Sequence, residues 1–207
     1  VDAFGGLDIC INNASAISLT KTAKTEMKRF DLMFAVNVRA TFMLSKECLP
    51  HLTQGDNPHI LSISPPLDMQ TKWFASSVAY TMSKFGMSQC VLGMAGEFKS
   101  KGIGVNALWP HSVIATAAIS NVVAGSIAFP HCRKPTIMAD AAAVILSKDS
   151  QEFTGNFCVD DVLLAAEGVT DFSVYRVDPD KTLWSDFFVP DDIPEIEPVV
   201  MAMNPGA

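Results

Sequence analysis

His59-Ile60-Leu61-Ser62-Ile63-Ser64 is the stretch on which the fold turns. It is short and apolar, and Pro65-Pro66 stops it, so it reads as a strand. Long helical patterns flank it on both sides. Upstream, residues 24–52 place Met27, Phe30, Met33, Phe34, Val38, Phe42 and Leu49 at helical steps, and Pro50 and Gly55 are expected to close that helix. Before it, Leu7-Asp8-Ile9-Cys10-Ile11-Asn12-Asn13 follows Gly5-Gly6 and reads as a buried strand. Downstream, residues 77–101 form a second helix ending at Gly102, and Gly104-Val105-Asn106-Ala107-Leu108 a third strand. A variable stretch from Trp109 to Pro135 leads to a helix near Ile137–Ser147 and a last strand, Gly155–Asp160. Strands that alternate with long helices predict parallel β-α-β units.

Composition narrows the function. The chain has 207 residues, 49% hydrophobic and 18% charged, which suits one domain with a tail and excludes wholesale disorder. No run approaches the roughly 18 apolar residues of a membrane span. A net charge of −7 argues against a nucleic-acid binder that works by neutralising phosphates. Much of that charge belongs to residues 178–207, with seven acids, one Lys and the prolines Pro179, Pro190, Pro194, Pro198 and Pro205. These residues are expected to be an acidic linker or surface wrap without a regular core element. Cys10, Cys48, Cys90, Cys132 and Cys158 form no CxxC pair. No zinc site or redox dithiol is expected, and buried free thiols point to a reducing, intracellular compartment.

Tyr80-Thr81-Met82-Ser83-Lys84 carries the chemistry. On a helix, Tyr80 and Lys84 stand at i and i+4 on one face. A phenol with a pKa near 10 is a poor acid or base at neutral pH, and a nearby ammonium favours the phenolate. Such a pair can move a proton on and off an alcohol oxygen. Taken alone, it also fits an ordinary surface pair.

The order of the other motifs adds context. Asn12-Asn13-Ala14-Ser15 closes one strand, Asn37 lies inside the first long helix, Ser64 ends the next strand, and Pro110 and Thr116 follow the third. Over about residues 1–165 this set resembles the C-terminal two-thirds of a short-chain dehydrogenase/reductase. The resemblance implies an α/β fold, a Rossmann-type doubly wound parallel sheet, with residues 1–177 as part of the domain. It implies NADP or NAD as cofactor, Tyr80 as general acid/base, and Lys84 as the group that lowers its pKa and binds the nicotinamide ribose. Asn37 would hold a water of a proton relay through the helix backbone, and Ser64 would bind the substrate oxygen. Asn12 and Ala14 match the segment beside the adenosine half. Backbone near Val113 or Ile114, with the Thr116 hydroxyl, matches the part meeting the nicotinamide amide and diphosphate. A small apolar substrate would lie along Ile119–Phe129. The resemblance also implies a peroxisomal or mitochondrial location, and helices 24–52 and 77–101 are candidate faces for a homo-oligomer.

Three departures from the family pattern stand out. Ser64 lies 16 residues before Tyr80 rather than the usual 13 or so, so either Ser64 acts or Pro65 occupies the serine's place. The family's Pro-Gly reads Pro110-His111, and His111 is expected as an exposed loop residue rather than an extra catalyst. No G-x-x-x-G-x-G or G-x-G-x-x-G turn occurs. With a start at Val1, the chain is expected to be a piece of a longer protein, incomplete in its first strands and glycine-rich turn. Strand 7–13 would then be an exposed edge, and the chain alone is expected to bind NADP or NAD weakly or not at all. The competing function is a non-catalytic lipid-binding or interaction protein on the same scaffold.

Overall fold

The central strands are built to be buried on both faces. Every residue of β3 (Gly104–Trp109) is buried, as are the first four of β2 (His59–Ile63). A strand of that kind is stable only with helices above and below it. In the computed structural model, which describes residues 1, 3–119 and 127–201, both faces are covered. Four strands, β1 (Ile9–Asn12), β2, β3 and β4 (Phe157–Val159), make one parallel sheet in the order β1-β2-β3-β4. Successive residues alternate between faces. Ile60, Val105 and Ala107 pack with Leu52, Val91 and Phe98 on one side. Leu61 and Leu108 pack with Ile137, Ile145 and Leu164 on the other. The architecture is therefore doubly wound α/β of Rossmann type.

The first long helix is interrupted. It runs as α1 (Met27–Met33), a π-helical segment Phe34–Arg39 and α2 (Ala40–Leu52). Pro50 does not close α2 but lies inside its last turn, where Thr53 Oγ1 donates to the Pro50 carbonyl. A short α3 (Thr71–Ala75) precedes α4 (Val78–Phe98). A single turn, Lys99–Lys101, then leads to Gly102 at φ 70°, the left-handed conformation that favours glycine after a helix. Helices α5 (Thr136–Ser147) and α6 (Asp160–Ala166) cover the second face. None of the described helices is long and apolar enough to cross a membrane. Strand β1 pairs only with β2 among the described residues, and Ile9 and Ile11 are exposed.

Residues 178–201 differ from the expected linker. They form β5 (Leu183–Ser185) and β6 (Val199–Met201), paired in parallel. Leu183, Phe188 and Val189 are buried. Phe188 enters an aromatic cluster with Trp73, Tyr80, Phe85 and Trp109. The acidic residues around it hide a compact apolar run, Leu183-Trp184-Ser185-Asp186-Phe187-Phe188-Val189, whose burial pulls the segment onto the domain.

Candidate active site

Helix α4 follows β2 after the short α3 and packs against β2 and β3. Tyr80 and Lys84, one turn apart on it, line a cavity of about 450 Å³. Asn13 and Ser15, just after β1, and Thr116, beyond β3, line it too. Ile17, Ile114, Met138 and Phe187 make its walls largely apolar.

Lys84 is buried, and its Nζ donates to the Ile63 carbonyl at 2.7 Å. The ammonium also stands 4.9 Å over the Trp109 ring. Burial pulls its pKa down to about 7, with the carboxylate of Asp186 opposing. Burial pushes the Tyr80 phenol above its ordinary range, and Asp186 pushes the same way. The Tyr80 phenol thus lies above its ordinary range, where the sequence predicts a lowering by Lys84. Asp186 itself is lifted to about 7, chiefly by burial.

Asp186 is the site residue that sequence reasoning missed. Its backbone N–H donates to the His111 carbonyl at 3.0 Å, and its Oδ1 accepts from the Phe187 N–H at 2.6 Å. Trp109 Nε1 donates to the Phe187 carbonyl at 2.6 Å. These bonds fix the C-terminal segment against the loop after β3. The available signal was the aromatic run beside Asp186, masked by the acidic composition around it.

Ser64, Asn37 and Asn12 do not line this cavity. Ser64 is fully buried, does not line the cavity, and its Oγ has no hydrogen-bond partner. The Asn37 side-chain amide bridges Ala16 and Ser83: Oδ1 accepts from the Ala16 N–H at 2.7 Å, while Nδ2 donates to the Ala16 carbonyl and to Ser83 Oγ, both at 2.9 Å. Asn12 Nδ2 donates to Ser45 and Ser62 Oγ and faces the core. Ala14 is exposed, and its neighbours Asn13 and Ser15 line the cavity. Val113 has neither backbone group free, since its N–H donates to Trp184 and its carbonyl accepts from Arg133, each at 2.9 Å. Of the expected substrate stretch Ile119–Phe129, residues 120–126 lie outside the described residues, and Ile119 lines the cavity.

His111 corrects its expectation. It is 4% exposed, and Nδ1 donates to both Asp161 oxygens at 3.0 Å. Its N–H donates to Asp160 Oδ1 at 2.9 Å. Two acids in the first turn of α6 make a ready partner, because a helix N-terminus favours negative charge. Fully buried Arg133 donates to Asp161 at 2.8 Å and to Glu197 at 2.7 Å. Burial opposes ionisation of Asp161, but His111 and Arg133 hold its pKa below the usual value. Asp160 rises to about 6 through burial and the neighbouring Asp161.

A nicotinamide cofactor fits one end of this arrangement. The phenol of Tyr80, the ammonium of Lys84 and the hydroxyl of Thr116, all lining the cavity, are groups to which a nicotinamide ribose could hydrogen-bond. The diphosphate end has no glycine-rich turn in this chain.

A model of the short chain dehydrogenase family matches residues 1–125. The chain belongs to this family. It is 52% identical to hydroxysteroid dehydrogenase-like protein 2 of Xenopus laevis over 195 residues, 94% of this chain and 46% of that protein. The chain thus spans about half the length of this curated relative. The crystal structure of a short chain dehydrogenase from Mycobacterium thermoresistibile superposes with a TM-score of 0.85 at 45% identity, covering 94% of this chain and 69% of that one. An angucycline C-6 ketoreductase with bound NADP matches at 26% identity and a TM-score of 0.60, over 75% of this chain and 61% of that one.

Proposed function

We propose that this chain carries the proton-transfer and substrate end of an NAD(P)-dependent oxidoreductase acting on a carbonyl or alcohol carbon of an apolar small molecule. The observation that carries the reading is Tyr80, Lys84 and Thr116 around one largely apolar cavity at the C-terminal ends of the parallel strands, the place where doubly wound sheets bind ligands. NADP or NAD, when bound, supplies or accepts the hydride. Tyr80 gives its phenolic proton to the substrate oxygen in reduction and takes it back in oxidation. With its pKa raised, Tyr80 holds that proton at neutral pH, which suits carbonyl reduction. Lys84, near neutrality, exchanges protons beside it and would meet the ribose hydroxyls. The apolar walls exclude water and seat the substrate body.

The matching NADP-bound ketoreductase and the family membership support this reading. A homo-oligomer through α1–α2 and α4 belongs to it, because Phe42, Met43 and Leu92 stay exposed there. The test is a hydride-transfer assay on the protein, with NADPH and NADH and a panel of ketones and aldehydes, alongside Tyr80→Phe. Turnover lost in Tyr80→Phe supports the reading. Ligand binding with no turnover favours the non-catalytic alternative, which the buried Ser64 recommends.

A further inference from the structure

The cavity around Tyr80 contains two charged side chains, Lys84 and Asp186. Lys84 has partners in the Ile63 carbonyl and Met87 Sδ. Asp186 is only half satisfied. Its Oδ1 is held by the Phe187 N–H, while no donor among the described residues reaches Oδ2. The residue that bears this oxygen lines the cavity beside Phe187, and the backbone bond to His111 holds it in place.

We propose that Asp186 reads the substrate: Oδ2 accepts a hydrogen bond from a hydroxyl group that the substrate carries in addition to its reacting oxygen. This rests on the oxidoreductase reading and narrows its substrate class to hydroxylated apolar ketones and alcohols. The other polar groups of the cavity do not impose this demand. The hydroxyls of Ser15 and Thr116, and the amide of Asn13, each both donate and accept, whereas an ionised carboxyl only accepts. Charge excludes the alternatives. A carboxylate or phosphate ligand would face Asp186 across an apolar wall. An ammonium ligand would leave Lys84 and itself opposed by a single carboxylate. A neutral donor preserves the balance and satisfies the free oxygen.

The test compares matched probes above the Asp186 pKa of about 7. Cyclohexanone is set against its ring-hydroxylated derivative, and decalone against hydroxydecalone. Binding by calorimetry and kcat/KM are read on the wild-type protein, on Asp186→Leu and on Asp186→Ala. Neither side chain can pair with a hydroxyl; Ala is the second variant should Leu fail to fold. The wild type is expected to prefer the hydroxylated member roughly tenfold to a hundredfold, as for a hydrogen bond to a charged group. Either variant should reduce that preference to within about twofold, with cofactor affinity unchanged. A preference that survives in the variants, or a wild type indifferent to the hydroxyl, overturns the role of Asp186 and leaves the oxidoreductase reading standing. Variants that lose cofactor affinity while keeping the preference assign Asp186 to the nicotinamide amide instead. If no ketone binds or turns over, the oxidoreductase reading falls and this inference falls with it.

Discussion

The ring of Phe188 lies 6.0 Å from the ring of Tyr80, although one comes from the C-terminal segment and the other from α4. Phe188 also meets Trp73, Phe85 and Trp109, so the proposed acid/base is packed by a residue far beyond it in the chain. The backbone of Phe188 has φ 64°, a conformation costly for a bulky side chain and kept only where surrounding contacts enforce it.

Phe188→Ala should therefore destabilise the protein by about 3–5 kcal/mol, the usual range for emptying a core phenylalanine site. Alanine keeps a β-carbon, so the strain at φ 64° is not relieved by this change. Urea denaturation checks it. A change below about 1 kcal/mol would show that the segment does not hold the Tyr80 cluster together.

Asp161→Ala should cost about 3–5 kcal/mol, because it leaves buried Arg133 facing an empty site and removes the partner of His111. Arg133→Met, which fills much of the same volume without charge, leaves Asp161 with His111 and Glu197 with Arg176 as partners and should also destabilise. The two losses should fall short of additive in the double variant, since both break one network. Thermal melts of the three proteins measure this coupling.

Asp186 gives the stability a pH signature. Its folded pKa of about 7 lies above the ordinary 3.8, so the folded state binds the extra proton between those values. Stability from this group is present below about 3.8 and is lost as pH rises through about 7. Lys84 has the opposite sign. Its folded value of about 7 lies below 10.5, so its contribution is lost as pH falls from about 10.5 through about 7. Asp186→Asn should thus raise the melting temperature relative to wild type increasingly from mildly acid pH to neutrality. An Asn variant with the same offset at every pH would contradict the burial of an ionisable carboxyl there.

Ser64→Ala separates the two readings of the family serine. A serine acting as an oxyanion donor would cost about 2.7–4 kcal/mol in catalysis when removed. Ser64 lies buried away from the cavity with an unpartnered Oγ. Ser64→Ala is therefore expected to leave turnover within about twofold and to hold or slightly raise stability, because an unsatisfied buried hydroxyl costs roughly 1–3 kcal/mol. Steady-state kinetics and a urea midpoint on the same variant give both readings.

The parts legible in the sequence are those with local causes. The apolar runs of β1 to β4 and the helical spacing between them are read directly, and Tyr80 and Lys84 share a face because four residues separate them. What escaped reading depends on distant partners. His111 is buried because Asp160 and Asp161 await it about 50 residues on. Asn37, inside a π-helical segment, is held by Ala16 and Ser83, both distant in sequence. Asp186 reaches the cavity because the apolar run around it outweighs the charge of its neighbours.

The most direct test of the whole account is Tyr80→Phe in the hydride-transfer assay, with cofactor binding measured on the same protein. The phenol acts only on the proton, so the rate should fall by about 10²–10⁴-fold or more while cofactor affinity stays nearly unchanged. Full turnover in Tyr80→Phe, with any ketone, aldehyde or alcohol of the panel, would contradict the assignment of this cavity as the site of proton transfer.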